Sequence, residues 1–310
     1  MRNAADVSAR TTELSLQTIV VDRPSFSYSF GITGDHTTQK IDKLGAPPFR
    51  VDQFGQGQNV FYFKEGEPLG IAYGTKFVHN FADLQTTCAK AKTTAGCGGS
   101  ATPVEANYVV NPLGFLVLKS QRGLASERPI IFTDSTGANQ FNIGDVNPDF
   151  SFGISNNFKI KGFGIYALFD GQKGGQIYNF TKQWMFQDFR HADIDQSGKP
   201  QDQKVSQEFY SAGLYNGLNA DEYFVESGSY VKLRELSVNY DFGAAALSRV
   251  GLNRYAQSVK VALIGRNLHT WTNYSGFDPE VTAGNDFNFR IDGFRYPQFR
   301  TITGQVTLGF

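Results

Sequence analysis

Seven stretches of this chain alternate apolar and polar residues, the period at which side chains point to opposite faces of a β-strand. In TTELSLQTIV (11–20), Leu14, Leu16 and Thr18 share one parity and Glu13, Ser15 and Gln17 the other. SFSYSFGIT (25–33) sets Phe26, Tyr28, Phe30 and Ile32 against serines, Gly31 and Thr33. FSFGISNNFKI (150–160) sets Phe150, Phe152, Ile154, Phe158 and Ile160 against Ser151, Gly153, Ser155, Asn157 and Lys159. GFGIYALF (162–169) follows a tight Lys161-Gly162 turn. SYVKLRELSVNYDF (229–242) ends with Leu236, Val238, Tyr240 and Phe242 in phase, but its first half is shifted. SVKVALIGRNL (258–268) sets Val259, Val261 and Leu263 opposite Lys260, Ala262 and Arg266. The last stretch, 298–310, carries Ile302, Val306, Leu308 and Phe310 opposite Thr301, Thr303, Gln305 and Thr307.

These strands are longer than the 5–6 residues usual in soluble sheets, and they match the roughly 9–11 residues with which a tilted strand crosses a bilayer. One face is rich in Phe and Tyr; the other holds Ser, Thr, Gly, Asn and Gln. The connections also alternate. Short ones at 21–24, 161–162 and 243–257, the last with room for a helical turn, are interleaved with long ones at about 41–149, 171–228 and 270–297. That is the pattern of an outer-membrane barrel with short periplasmic turns and long external loops. The expected fold is therefore all-β: an antiparallel transmembrane β-barrel segment, about seven membrane-length strands of a larger barrel. An odd strand number would leave open edges in lipid, which the backbone does not tolerate. Residues 1–310 accordingly read as the C-terminal part of a barrel, with no segment that reads as a plug.

Composition narrows the picture. Lys+Arg and Asp+Glu are 29 each, which argues against nucleic acid as a partner. Aromatics make up 14%, with 28 Phe, 33 Gly and only 2 Met, a balance that favours strands. No apolar run approaches the roughly 18 residues of a transmembrane helix, and the start has no secretory h-region. Cys88 and Cys97 lie in a polar, small-residue loop with no His nearby. That spacing does not suit zinc. It suits a disulfide in an oxidising compartment, contributing roughly 2.5–3 kcal/mol in the chain-entropy account; two reduced thiols are the alternative.

Little here points to catalysis. Asp278 and Glu280, in the run Gly276–Glu280, form a carboxylate pair of the kind glycosidases use, but no supporting acid or base is visible, and the run reads as a structural turn in an external loop. The Asp193–Gly198 stretch begins like a calcium loop, yet the twelfth position is Lys204, where a bidentate Glu is needed. His36, His79, His191 and His269 have no ligand spacing. The chain is expected not to be an enzyme and to hold no metal or cofactor. In QIYNFTKQWMFQDF (176–189), Ile177, Phe180 and Trp184 fall near one helical face. Trp184, Trp271 and Tyr274 are candidates for ligand contacts, for packing within the loops or for an aromatic girdle at the membrane interface. Lys260 and Arg266 are expected along the polar path, with Glu13, Gln17 and Lys159.

Three runs carry a family resemblance. GSYVKLRELSVNYDF, VALIGRNLHTWTNYSGFDPEV and YPQFRTITGQVTLGF resemble the C-terminal end of the SusC/RagA family of TonB-dependent outer-membrane transporters. The matching positions are Ser229, Tyr230, Leu233, Leu236 and Tyr240, then Asn267, Leu268, Trp271, Thr272 and Tyr274, then Gly276 to Glu280. Lys232 stands where Arg is more usual, and EGEPLGIAYG (65–74) resembles a further stretch. The resemblance implies uptake of oligosaccharides or peptides across the outer membrane, a SusD-like surface lipoprotein as lid, and TonB acting through an N-terminal plug. It also implies that Phe310, with Leu308 and Val306 behind it, is the signal read by the barrel-assembly machinery. A passive or adhesive barrel without a plug, or a soluble all-β carbohydrate-binding module, are the competing readings.

Overall fold

The computed structural model describes residues 5–51, 60–280 and 290–310. Among these, the main sheet holds seven strands: β1 (Ala5–Arg23), β2 (Phe26–Leu44), β3 (Pro148–Ile160), β4 (Phe163–Gly174), β5 (Tyr230–Phe242), β6 (Ser258–Thr272) and β7 (Thr301–Gly309). Each pairs antiparallel with the next in chain order. The seven alternating stretches are thus the seven strands. No helix among the described residues is long and apolar enough to cross a membrane.

Register carries the apolar parity from strand to strand. Leu16 faces Ile32, which faces Ile154, which faces Phe169, which faces Leu233. Nearer the hairpin end, Phe158 lies beside Tyr28 and Ile165, Ile165 beside Val238, Val238 beside Leu263, and Val261 beside Val306. The rings of Tyr28 and Phe158 stack at 4.4 Å. One face of the whole sheet is apolar, and the opposite face carries Gln17, Ser29, Asn157, Asn239, Lys260 and Thr307.

Of the register shifts in this sheet, two bear most on the apolar pattern. Val20 is an extra residue in β1, between the pairs Ile19–Ser29 and Val21–Tyr28. Against β4, Arg234 is an extra residue in β5, between the pairs Phe169–Leu233 and Leu168–Glu235, while β6 carries two residues, Asn267 and Leu268, opposite it. The second bulge is the physical cause of the phase shift in SYVKLRELSVNYDF: it resets the apolar parity from Val231 and Leu233 to Leu236 and Val238. Opposite it, Asn267 of β6 takes a left-handed backbone, φ +51°, which Asn tolerates better than most residues. The Lys161-Gly162 turn has φ +47° and +92°, both positive as a type I′ hairpin turn requires.

The first hairpin is longer than alternation suggested. β1 and β2 have 19 residues each, about 60 Å at roughly 3.3 Å per residue. In their far ends, Ala5–Arg10 against Thr38–Leu44, the apolar residues are few (Ala5 faces Leu44 and Val7 faces Ile41), and a register shift between Asp6 and Val7 breaks the alternation.

The long connections are not loose. Together they form a cap with its own core, in which Phe61, Phe77, Phe115, Val117, Tyr178, Phe186, Phe209, Leu214, Phe224 and Ile291 are all buried. The first connection contributes a four-stranded sheet (Phe49–Val51, Phe61–Phe63, Ile71–Gly74 and Phe141–Asp145), the hairpin Tyr108–Val110 with Leu116–Leu118, and helix α1 (Phe81–Lys90). Asn80 caps α1 by accepting from the Asp83 amide. Cys88 and Cys97 are bonded to each other and pack with Val78, Leu84, Leu116 and Ile130. The second connection contributes helix α2 (Phe180–Gln187) and pairs Gln176–Tyr178 with Val225–Ser227. Backbone bonds join the connections to one another. The Thr75 amide donates to the Ala220 carbonyl at 2.9 Å, and Tyr178 exchanges bonds with Arg290 and Asp292 at 3.0 Å each. These aromatics have no short-range period, because most of their partners lie far away in sequence, in the same connection or in another.

Phe186 packs against Phe224 at 5.3 Å and Tyr210 at 5.2 Å. Phe186→Ala should cost about 3–5 kcal/mol. Hydrogen exchange should show the loss across the cap, with the amides of β3 to β6 as protected as before.

Candidate functional site

Where the third connection (273–300) meets the polar face of the sheet, a cluster of charges is packed out of water. The bulge builds it. With Arg234 inserted, Lys232 and Arg234 both point to the polar face, Lys232 in register with Asp170 of β4. Lys232, only 1% exposed, donates from Nζ to Asp278 Oδ1 at 2.7 Å and Glu280 Oε2 at 2.6 Å. Arg234 makes a two-pronged contact with Asp170, 2.7 Å from Nε and 2.8 Å from Nη2. It reaches Glu280 with Nη2 at 2.6 Å and Nη1 at 3.0 Å, and Asn267 with Nη1 at 3.2 Å. The Tyr230 hydroxyl donates to Glu280 at 2.9 Å. The fixed fork of a guanidinium suits it to bridging two carboxylates in this way.

The acid side is supplied by the run Gly276–Glu280. Asp278 Oδ1 accepts the Glu280 amide at 2.9 Å and its Oδ2 accepts the Gln298 amide at 3.2 Å, so this carboxylate also ties the two ends of the described connection together. Burial alone would raise the Glu280 carboxyl. The hydrogen bonds from Arg234 and Lys232 and their positive charges outweigh that and hold it down at about 2. Arg290 lies against the same body, donating to the Gly228 carbonyl at 3.0 Å and the Pro279 carbonyl at 2.6 Å. Gly228 is needed there, since a Cβ would stand 2.3 Å from the Arg290 guanidinium.

A second anchor lies beside it. Asp292, 2% exposed, accepts from the Tyr274 hydroxyl at 2.6 Å and from Thr181 Oγ1 at 2.8 Å. Burial, then the Asp292 charge, push the Tyr274 hydroxyl far above its usual pKa. The donors of these two anchors have protein acceptors except Arg290 Nη1, which is buried without a hydrogen-bond partner among the described residues, and a nucleophile and a base are not brought together here. The arrangement fastens a connection to a wall.

The residues singled out from sequence fall in different places. Tyr274 is buried against Ile177. Trp184, on α2, packs edge-on to Phe180 and Tyr215 within the cap. Trp271 lies on the apolar face beside Val231, with its ring 4.5 Å from His269. Lys260 and Arg266 are on the polar face, Arg266 donating to Glu235 at 2.8 Å. Val306, Leu308 and Phe310 are exposed at the apolar edge formed by β7. Asp195, in the calcium-like stretch, accepts the Ser197 amide at 2.8 Å and makes an ordinary turn. Sequence reasoning did not find Asp170, Lys232 and Arg234 as partners of Asp278 and Glu280. The signal available was the phase break at Arg234.

Comparison with known proteins agrees with this architecture. TonB-dependent receptor P3 of Formosa agariphila is 30% identical over 174 residues, 54% of this chain and 17% of the receptor. TonB-dependent receptor P39 of the same organism is 24% identical over 342 aligned residues, 99% of this chain and 31% of that one. Among solved structures, the RagAB peptide transporter superposes with a TM-score of 0.62 at 17% identity, over 100% of this chain and 30% of that one. The RagAB peptide importer in its closed-closed state gives 0.64 at 18% identity, with 100% and 30% covered. At such identity the structural likeness speaks for the fold. No protein-family model matches the chain. The chain spans less than a third of the length of each of these relatives.

Removing one partner of a buried ion pair costs about 3–5 kcal/mol, so Lys232→Ala should lower the thermal midpoint of the intact protein in detergent and open residues 273–280 to protease. The Glu280 contribution has a defined pH window. Because its pKa is depressed in the fold, the contribution is complete above pH 4.5 and is lost as pH falls toward about 2. Protease sensitivity of the connection should therefore rise with acid only below pH 4.5, and Glu280→Gln should remove that dependence.

Proposed function

We propose, from this chain's membership of the SusC/RagA family of TonB-dependent transporters, that it forms part of the barrel wall and the external loops of an outer-membrane nutrient transporter. One observation carries the reading. The apolar face runs unbroken across all seven strands and stays open, with Leu16, Leu263, Ile302 and Val306 each more than half exposed. A soluble module would bury such a surface; contact with acyl chains explains it. The alternation of short hairpins and long connections gives the direction, with hairpins toward the periplasm and the cap outside.

In this reading the polar face lines the channel, and Lys260 and Arg266 sit along the path. The ion-paired junction seats the third connection against the channel wall, so that the cap is held over the opening. The bonded pair Cys88–Cys97 suits a cap in an oxidising environment. Trp271, near the loop end of the apolar face, takes the place of an interfacial ring, while Trp184 and Tyr274 serve as packing within the loops. The cargo would be oligosaccharides or peptides; the solved relatives carry the description of peptide transporter and importer. A SusD-like lipoprotein would cover the cap, TonB would act through a plug, and the chain would work without catalysis. Val306, Leu308 and Phe310 would be read by the barrel-assembly machinery.

Expression of the full-length gene followed by membrane fractionation tests the reading. The protein should be recovered in the outer membrane and should migrate faster on gels unheated than heated. Recovery as a soluble monomer would overturn it. Leu263→Arg, on the apolar face, should cost about 2–4 kcal/mol of folding stability in vesicles, whereas Gln305→Arg, on the polar face, should cost far less.

A further inference from the structure

Two of the three hairpins close in two residues, at Pro24-Ser25 and Lys161-Gly162, but β5 and β6 are joined by fifteen, 243–257. These residues form a short helix, α3 (Ala244–Arg249), followed by a single turn of 3₁₀-helix at Leu252–Arg254. Leu247 and Ala256 are buried and hold the connection to the end of the sheet. Three other large apolar residues are not: Val250 is 67% exposed, Leu252 47% and Tyr255 73%. For a connection that needs only two residues, both the length and this exposure call for an explanation.

The surroundings say what covers them. The connection leaves the sheet at Phe242 and returns before Val259, both on the apolar face. Beside it stand the packed rings of Phe163 and Tyr240, 4.5 Å apart, and of Tyr240 and Phe242, 4.6 Å apart. Aromatic rings gather in this way where strands leave the acyl region. The fifteen residues include Arg249 and Arg254 and no acid. Both arginines are exposed, and neither makes an ion pair among the described residues. The apolar surface is thus continuous with the sheet's apolar face and is bordered by cations without acidic partners.

We propose that residues 243–257 are an in-plane membrane anchor. Val250, Leu252 and Tyr255 enter the acyl boundary of the leaflet at the hairpin end, and Arg249 and Arg254 hold anionic phospholipid headgroups. Short amphipathic segments bind at this depth through apolar area together with attraction to anionic lipid, and the long stems of arginine let the guanidinium stay among the headgroups. A protein partner would call for acids facing the arginines and a groove for the apolar side chains. Lipid needs neither.

The inference rests on the transmembrane reading above, and its test separates the two. Cys88 and Cys97 are bonded to each other and are the only cysteines among these 310 residues, so one added cysteine gives one labelling site once any cysteine elsewhere in the full-length protein is replaced by serine. The intact full-length protein would carry Val250→Cys or Tyr255→Cys, with Leu263→Cys on the apolar face as reference, each labelled with an environment-sensitive dye. It would be reconstituted in phosphatidylcholine vesicles with and without phosphatidylglycerol. Lipids spin-labelled near the headgroup should quench the dyes at 250 and 255 more than lipids labelled at the chain end, with the reverse order at 263. Arg249→Gln and Arg254→Gln should each lower the preference for phosphatidylglycerol about fivefold, the ratio that ~1 kcal/mol per basic residue gives. If the dye at 263 is quenched and those at 250 and 255 are not, the anchor is wrong: a water-like emission would put the connection in solvent, and a blue-shifted one would put it against protein. If the dye at 263 is not quenched either, the transmembrane reading itself fails.

Discussion

Cross-strand register is the constraint on which the rest of the structure depends. Side chains alternate with a period of two, so a slip of one residue would carry the entire apolar set of a strand to the polar face. Seven strands must agree, and their sequences do not all keep perfect time. Val20 in β1 and, against β4, Arg234 in β5 are residues too many, and the sheet absorbs each as a bulge. After each bulge the strand returns to phase: Val21 again faces Tyr28, and Leu236 again faces Ala167. The apolar face is continuous because such errors are corrected locally.

The same rule explains how much could be read from the chain alone. Wherever one face is apolar and the other polar, the alternation exposes the strand, and all seven were legible on that ground. The Lys161-Gly162 turn was legible because so few residue pairs accept two positive φ angles. The outer halves of β1 and β2 were not. From Ala5 to Arg10 and from Thr38 to Leu44 the apolar residues are few, and what holds them is contact with the cap, where Ile41 is buried and Ala5 and Leu44 pack beside it. The cap was not legible either. Phe115 packs against Phe77, Phe209 and Tyr223, residues separated from it by tens of positions on either side, and no local period records such contacts.

The junction at Lys232 lay between these cases. Its acids were noticed as a pair, Asp278 and Glu280, and its cations were noticed as a phase error, but nothing local joins residues 46 and 48 positions apart. Geometry joins them. The bulge sets two cations side by side on the polar face, and the run Gly276–Glu280 returns with two acids at the same spacing. Asp170 on β4 completes the set, and the third connection is thereby tied to two neighbouring strands.

Whether such a cluster serves stability or placement can be argued from its burial. Buried ion pairs regain little of what their desolvation costs, and apolar residues of the same volume often hold a fold as well. Two cations (Lys232 and Arg234) face three carboxylates (Asp170, Asp278 and Glu280), with Arg290 held beside them on backbone carbonyls. An apolar patch at this point would also fix the third connection, but it could slide, because apolar contact has no direction. The fork of Arg234 and the short bonds of Lys232 admit one seating only. Removing Lys232 would strand the buried Asp278 carboxylate, so a seating that breaks this pair is penalised. The cap above, packed through Tyr178, Ile291 and Asp292 onto the same connection, inherits its position over the sheet from that one seating.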